Sequence, residues 1–267
     1  MTKTKGKVIS FLAPNMLPVY DAIIRYVSRK LNYELELAAG SSYEQLFQAD
    51  FSFVCGLPYV LYTAPRREPS PITALVAPVL RGERYQNRPI YFSDVIVHRD
   101  SPFRSFSDLR GCSWAYNEPQ SQSGYGITRY SLVKLGETHG YFKKVIEAGF
   151  HQTAIRMVDE GQVDASAIDS QVLAVELAHQ PQLAQKLRVI DALGPSTIQP
   201  FVAASHVPQS LRDDVQAIFV EMHNKSSVAT YLQQGHIDHF VPVQNSDYDD
   251  IRAMLAACEA ANFLTLK

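Results

Sequence analysis

Residues 118 to 126 read EPQSQSGYG, a run of two serines, two glycines and two glutamines. It lies between a strand-like stretch, Ser113-Trp114-Ala115-Tyr116-Asn117, and a helix-like stretch from Ile127 to Leu135. A strand that ends in such a loop and then opens a helix gathers unpaired backbone N–H groups and the positive end of a helix dipole at one point. An anion is the natural occupant of that point. Ser121 and Ser123 add hydroxyl donors, and Gly124 and Gly126 allow close approach to the backbone. The loop lacks the Gly-Lys-Ser/Thr of a nucleotide-binding loop and the spacing of a nucleophile elbow, so neither nucleotide hydrolysis nor acyl transfer is indicated. The plain alternative is a serine N-cap with a flexible approach.

Other residue types could serve the same chemistry. Asp169 ends the run VDASAID, and the carboxyl ends of strands in open α/β sheets are where ligands collect. It could accept a hydrogen bond from a protonated oxyanion or an ammonium group, or simply cap the helix expected over 170–179. His151 starts a helix after Gly149-Phe150, where it could donate to an anion or serve as a surface polar residue. Tyr59, Tyr43, Tyr91 and Ser93 fall at strand ends or helix starts. Tyrosine offers an apolar wall and one hydroxyl, which suits a cleft around a small polar ligand, although with 14 tyrosines each one alone reads as packing. HIDHF places His236, Asp238 and His239 close together without a third anchored ligand, and neither a metal nor a cofactor is expected. Cys55 reads as a small buried residue. No Ser/His/Asp set and no paired carboxylates stand out, so a non-catalytic protein is expected.

The elements that must hold these residues alternate. KVISFLAP reads as a strand, VYDAIIRYVSRKLN as an amphipathic helix with Ile23, Ile24, Tyr26, Val27 and Leu31 inward, then YELELAAG as a strand, SYEQLFQ as helical and DFSFVCG as a strand. This order implies a largely parallel open sheet. After two longer strands, PITALVAPVLR and RPIYFSDVIVHRD, the alternation restarts through helices 123–135, 151–160 and 170–179, which indicates two α/β units in series. The last third, with SLRDDVQAIFVEMHN, VATYLQQG and DYDDIRAMLAACEAANF as helices, could return to the first unit.

The bulk numbers set outer limits. The chain has 267 residues, 46% hydrophobic and 19% charged, with a formal charge of −2. That leaves no electrostatic footprint for nucleic acid or acidic membranes. Its apolar runs are too short to span a bilayer. The N-terminal MTKTKGKVISFLAP carries no secretory signal, so a periplasmic or extracytoplasmic place is expected if a leader has been removed, and a cytoplasmic one otherwise. Three cysteines without CxxC spacing exclude a fully paired disulfide framework.

Three segments in this order, SYEQLFQADFSFVCGLPYV, YFSDVIVHRDSPFRSFSDLRGCSWAYNEPQSQSGYG and GFHQTAIRMVDEGQVDASAIDS, resemble the phosphate/phosphite/phosphonate-binding proteins of ABC transporters. The resemblance runs from about Val8 to Ala261. It implies a type II periplasmic-binding-protein fold: two α/β lobes joined by a two-strand hinge, residues 1–95 with 200–267 and residues 96–199, and a ligand cleft between them. Ser121, Gln122, Ser123 and Gly124 match the family's Ser/Thr-x-Ser/Thr-Gly oxyanion loop, with Tyr125 beside it. Tyr59 and Tyr91 match first-lobe aromatics, His151 the second-lobe histidine and Asp169 the strand-end aspartate. Tyr43 and Ser93 complete the expected ligand-binding set. The function implied is capture of a phosphonate, phosphite or phosphate by a monomer that delivers it to permease subunits. The alternative is an enzyme or ligand-sensing domain on the same scaffold that recognises another small anionic or aminated metabolite.

Overall fold

The computed structural model describes residues 5–31, 33–64 and 69–267. The basic start of the N-terminus, residues 1–4, and Asn32 at the end of the first expected helix lie outside the described residues. The chain forms two units: residues 1–90 with 197–249, and residues 91–196 with 250–267.

In the first unit, strands β1 (Lys5–Ser10), β2 (Glu34–Ala39), β3 (Phe51–Phe53), β4 (Ile72–Leu80), β10 (Phe201–Ala204) and β11 (Ile237–Pro242) form one sheet in the order β11-β4-β10-β3-β1-β2. Strand β1 runs parallel to β2 and β3, while β10 and β11 pair antiparallel, so the sheet is mixed rather than largely parallel. Helices α1 (Leu17–Leu31), α2 (Gly56–Tyr62), α7 (Gln209–Glu221) and α8 (Ser226–Gln234) belong to this unit. Helix α1 buries Val19, Tyr20, Ile23, Ile24, Tyr26 and Val27, the stripe that a 3.6-residue period dictates; Leu31 at its frayed end is only half-buried. Strand β4 is buried almost end to end, as its continuous apolar run requires. SYEQLFQ is a 3₁₀ turn, Tyr43–Phe47, rather than an α-helix, closed by the Ser42 capping box. HIDHF is not helical: Ile237 to Phe240 lie in β11, and no cluster of potential metal ligands exists among the described residues.

The second unit's sheet has the order β7-β6-β8-β5-β9, from β5 (Ile90–His98), β6 (Ser113–Tyr116), β7 (Lys144–Glu147), β8 (Ala165–Asp169) and β9 (Leu187–Thr197). Strands β7, β6 and β8 are parallel neighbours. Helices α3 (Ile127–Lys134), α4 (His151–Asp159), α5 (Ser170–His179), α6 (Leu183–Lys186) and α9 (Asp249–Ala260) accompany them. Trp114, wholly buried, stacks on Phe142 with ring centroids 4.7 Å apart and meets Phe106 edge-on at 5.7 Å. Such ring pairs add about 0.5–1.5 kcal/mol each beyond their buried area.

The unit boundaries differ from the expected ones in two ways. Tyr91 and Ser93 fall in the second unit, where β5 pairs with β8 from Ser93 to Val97. Residues 250–267 also belong there, so the chain passes between units three times. The cause is packing: Phe263, fully buried, and Leu266 join the core around Trp114 and Leu132. None of the three cysteines is in a disulfide.

Candidate functional site

The parallel strands β7, β6 and β8 lie side by side, and the segment after each carries part of the expected set: His151 after β7, the serine-glycine loop after β6, and Asp169 at the end of β8. Two backbone bonds extend the β6–β7 pairing past the strands, Ala148 N to Tyr116 O at 2.7 Å and Gly149 N to Asn117 O at 2.8 Å. Gly149, at φ +79°, then turns the chain into α4. This turn delivers His151 to the loop. Residues 122–126 form a π-helical turn that runs directly into α3. Such turns are rare and concentrate at functional sites.

Within the loop the serines are tied to one another. Ser121 Oγ accepts from Gly124 N at 3.0 Å and shares a bond of 3.2 Å with Ser123 Oγ. Ser123 Oγ in turn shares a bond of 2.9 Å with His151 Nε2. All three residues are buried. Burial pushes the His151 pKa down to about 4, so the ring is neutral at pH 7, and its Nδ1 has no hydrogen-bond partner among the described residues. Gly124 is required by space: a Cβ there would sit 2.1 Å from Asn117 Oδ1.

Asp169 fills its structural role, since its Oδ1 accepts from Gln171 N at 2.8 Å and Val172 N at 3.3 Å at the start of α5. Ser93 lies opposite it in the β5–β8 register, and both are buried. Tyr91 is buried two residues before Ser93. Gln122 and Tyr125 turn into the second unit instead. Gln122 Nε2 reaches Met254 Sδ at 3.2 Å and Ser196 Oγ at 3.4 Å. Tyr125 Oη accepts from Leu266 N at 3.1 Å.

The tyrosines of the first unit behave differently from one another. Tyr59 is buried against Tyr248, with ring centroids 4.6 Å apart. Tyr43 is half-buried and stacks on Phe11 at 4.8 Å. Sequence reasoning did not single out Asn117 and Gln152, which carry buried side-chain oxygens without a protein partner, as does the amide nitrogen of Gln152. Their signal was adjacency, one just before the loop and the other just after His151.

The arrangement is a set of neutral donors and acceptors with no charged counter-ion in its bonded core. It can hold an anion through dipoles and hydroxyls, with hydrogen-bonding capacity left at His151.

The chain is similar to the phosphonates-binding periplasmic protein of Escherichia coli, 26% identical over 137 residues, a match spanning 49% of this chain and 40% of that relative. In three dimensions it resembles a binding protein component of an ABC phosphonate transporter from Pseudomonas aeruginosa, with a TM-score of 0.82 at 16% identity, covering 100% of this chain and 90% of the other. It also resembles PhnD1 of Prochlorococcus marinus, solved in complex with methylphosphonate, with a TM-score of 0.81 at 17% identity over 97% and 98% of the two chains. These likenesses establish the type II periplasmic-binding-protein fold. The profile of the ABC transporter phosphonate periplasmic substrate-binding proteins matches residues 8–248, and this chain belongs to that family.

Proposed function

We propose that this protein is the substrate-binding component of an ABC transporter and captures a small phosphorus oxyanion, of which a phosphonate is the first candidate. The observation that carries the reading is the hydrogen-bonded set Ser121, Ser123 and neutral His151 at the carboxyl ends of parallel strands. Two phosphonyl oxygens would take the hydroxyls and the first amides of the π turn, and His151 would supply a further donor. Asp169 would accept the hydrogen of a singly ionised ligand and repel a fully ionised one, because two negative charges would then meet. The protein works as a monomer that passes its ligand to permease subunits, in the periplasm where its family acts.

The test is isothermal titration with phosphate, phosphite, methylphosphonate and 2-aminoethylphosphonate. One of them binds, Ser123→Ala weakens it by about 10- to 100-fold, the range for a lost hydrogen bond to a charged group, and affinity falls as pH passes the ligand's last ionisation. No binding by any of the four, or an unchanged constant in Ser123→Ala, overturns the assignment.

A second reading has one observation in its favour. A serine hydroxyl 2.9 Å from a histidine ring nitrogen is also the geometry of an activated nucleophile. The third member of such a triad is missing among the described residues, where His151 Nδ1 has no hydrogen-bond partner. Release of the bound ligand chemically unchanged separates binding from catalysis.

A further inference from the structure

We infer that the C-terminal segment of the chain is a working part of the anion site, and that Gln122, Tyr125 and Arg129 are positioning residues that strap the π turn to it. The inference deepens the proposed function and rests on that reading for its link to ligand affinity. The three side chains, two from the π turn and one from α3, converge on one neighbouring segment. Each of them holds residues 250–267. Gln122 Nε2 donates to Met254 Sδ at 3.2 Å, Tyr125 Oη accepts from Leu266 N at 3.1 Å, and Arg129 Nη1 donates to Phe263 O at 3.2 Å and Leu264 O at 2.8 Å. The guanidinium is buried and lies 4.7 Å from the centre of the Tyr125 ring. A further bond, Gly140 N to Lys267 O at 3.2 Å, ties down the end of the chain.

The strap matters because of what a π turn is. Ile127 N bonds Gln122 O and Gly126 N bonds Ser121 O, each across five residues, one more than an α-helix spans. Left alone, such a turn relaxes toward the commoner α geometry. Losing that extra residue re-registers everything before it by one position, about 100° around the helix axis and 1.5 Å along it. Ser123 would then leave the His151 ring, and the Ser121–Ser123 pair would break. Holding Gln122 and Tyr125 from outside keeps the turn wound in the form in which Ser123 meets His151. A site of this kind tolerates displacements of only about 0.5 Å. The two side chains are therefore supports of the site rather than ligand contacts.

The test uses the full chain with Tyr125→Phe, which removes the acceptor of Leu266 N, Gln122→Met, which keeps length and loses the donor, and a chain ending at Ala261. Phe106→Leu, in the core around Trp114, serves as a control for simple destabilisation of the same unit. Hydrogen exchange of residues 121–126 is followed without ligand, and the dissociation constant is measured for methylphosphonate and inorganic phosphate. Expected are exchange about tenfold faster in the loop and affinity about tenfold weaker for Tyr125→Phe and Gln122→Met, with neither change in the control at matched melting temperature. If the shortened chain does not fold, the two point variants decide. Loop exchange equal to that of the native protein in both variants, or loosening as large in the control, overturns the strap. Should the native protein bind neither anion, the affinity arm is repeated with phosphite and 2-aminoethylphosphonate, and the exchange measurement decides the strap by itself.

Discussion

His151 is where the protein's stability and its chemistry meet. The ring is fully buried and neutral, with its pKa pushed down from 6.5 to about 4 by desolvation. Above pH 6.5 the ring is neutral in both the folded and unfolded chains and stability does not depend on it. As pH falls below 6.5 the unfolded chain binds a proton that the folded chain refuses, so stability declines until about pH 4. The loss integrates to roughly 3 kcal/mol. Urea unfolding at pH 4.5 and pH 7 should show a difference that shrinks markedly in His151→Gln. Equal pH dependence in the variant would mean that another group causes the acid sensitivity. The same neutrality would let the proposed site take an anion without a salt bridge: an imidazole with one donor and one acceptor completes its bonds from whatever arrives, whereas an imidazolium would have been expensive to bury.

At the scale of elements, the site is the product of three strand ends and one turn. Gly124 holds that turn against Asn117, with the Asn117 amide nitrogen 3.3 Å and its Oδ1 2.1 Å from where a Cβ would stand. Gly124→Ala should cost about 1–3 kcal/mol of stability, typical of overpacking, and weaken anion binding. Adding Asn117→Ala should recover part of both, since the side-chain clash is relieved and the backbone contact is not; denaturant titration and calorimetric binding of the double variant check it. Much of this was legible in the sequence: helix α5 falls on 170–179 as the residues between Asp169 and Pro181 dictate, and the Ser-Gly loop lies between a strand and a helix. What was not legible is direction. Residue type does not say which face of a turn a side chain occupies, and the extra residue of a π turn shifts that face, so the bonds of Gln122 to Met254 and of Tyr125 to Leu266 could not be read from it. Strand β7 escaped notice because no residue of KVIE is fully buried.

At the scale of the whole molecule, the two units are interleaved in sequence, and the one tryptophan reports on only one of them. Trp114 is fully buried in the core of the second unit, the unit that contains Ser121, Ser123, His151 and Asp169. Fluorescence-detected melting therefore follows that unit, while far-ultraviolet circular dichroism follows both. A ligand at a hundred times its dissociation constant adds about 2.7 kcal/mol. For a chain of this size that corresponds to a rise of roughly 5–10 °C. If the loop after β6 holds the ligand, the tryptophan transition must move by this amount with methylphosphonate and stay in place for Ser123→Ala. A dichroism transition that moves while the tryptophan transition does not would place the ligand on the first unit, against its half-buried Tyr43 rather than the serines, and the hydroxyl-and-histidine set would then be only the support of a helix. The two probes thus assign whichever anion shifts the melting to one unit, and the same pair of measurements serves for phosphite, phosphate or 2-aminoethylphosphonate.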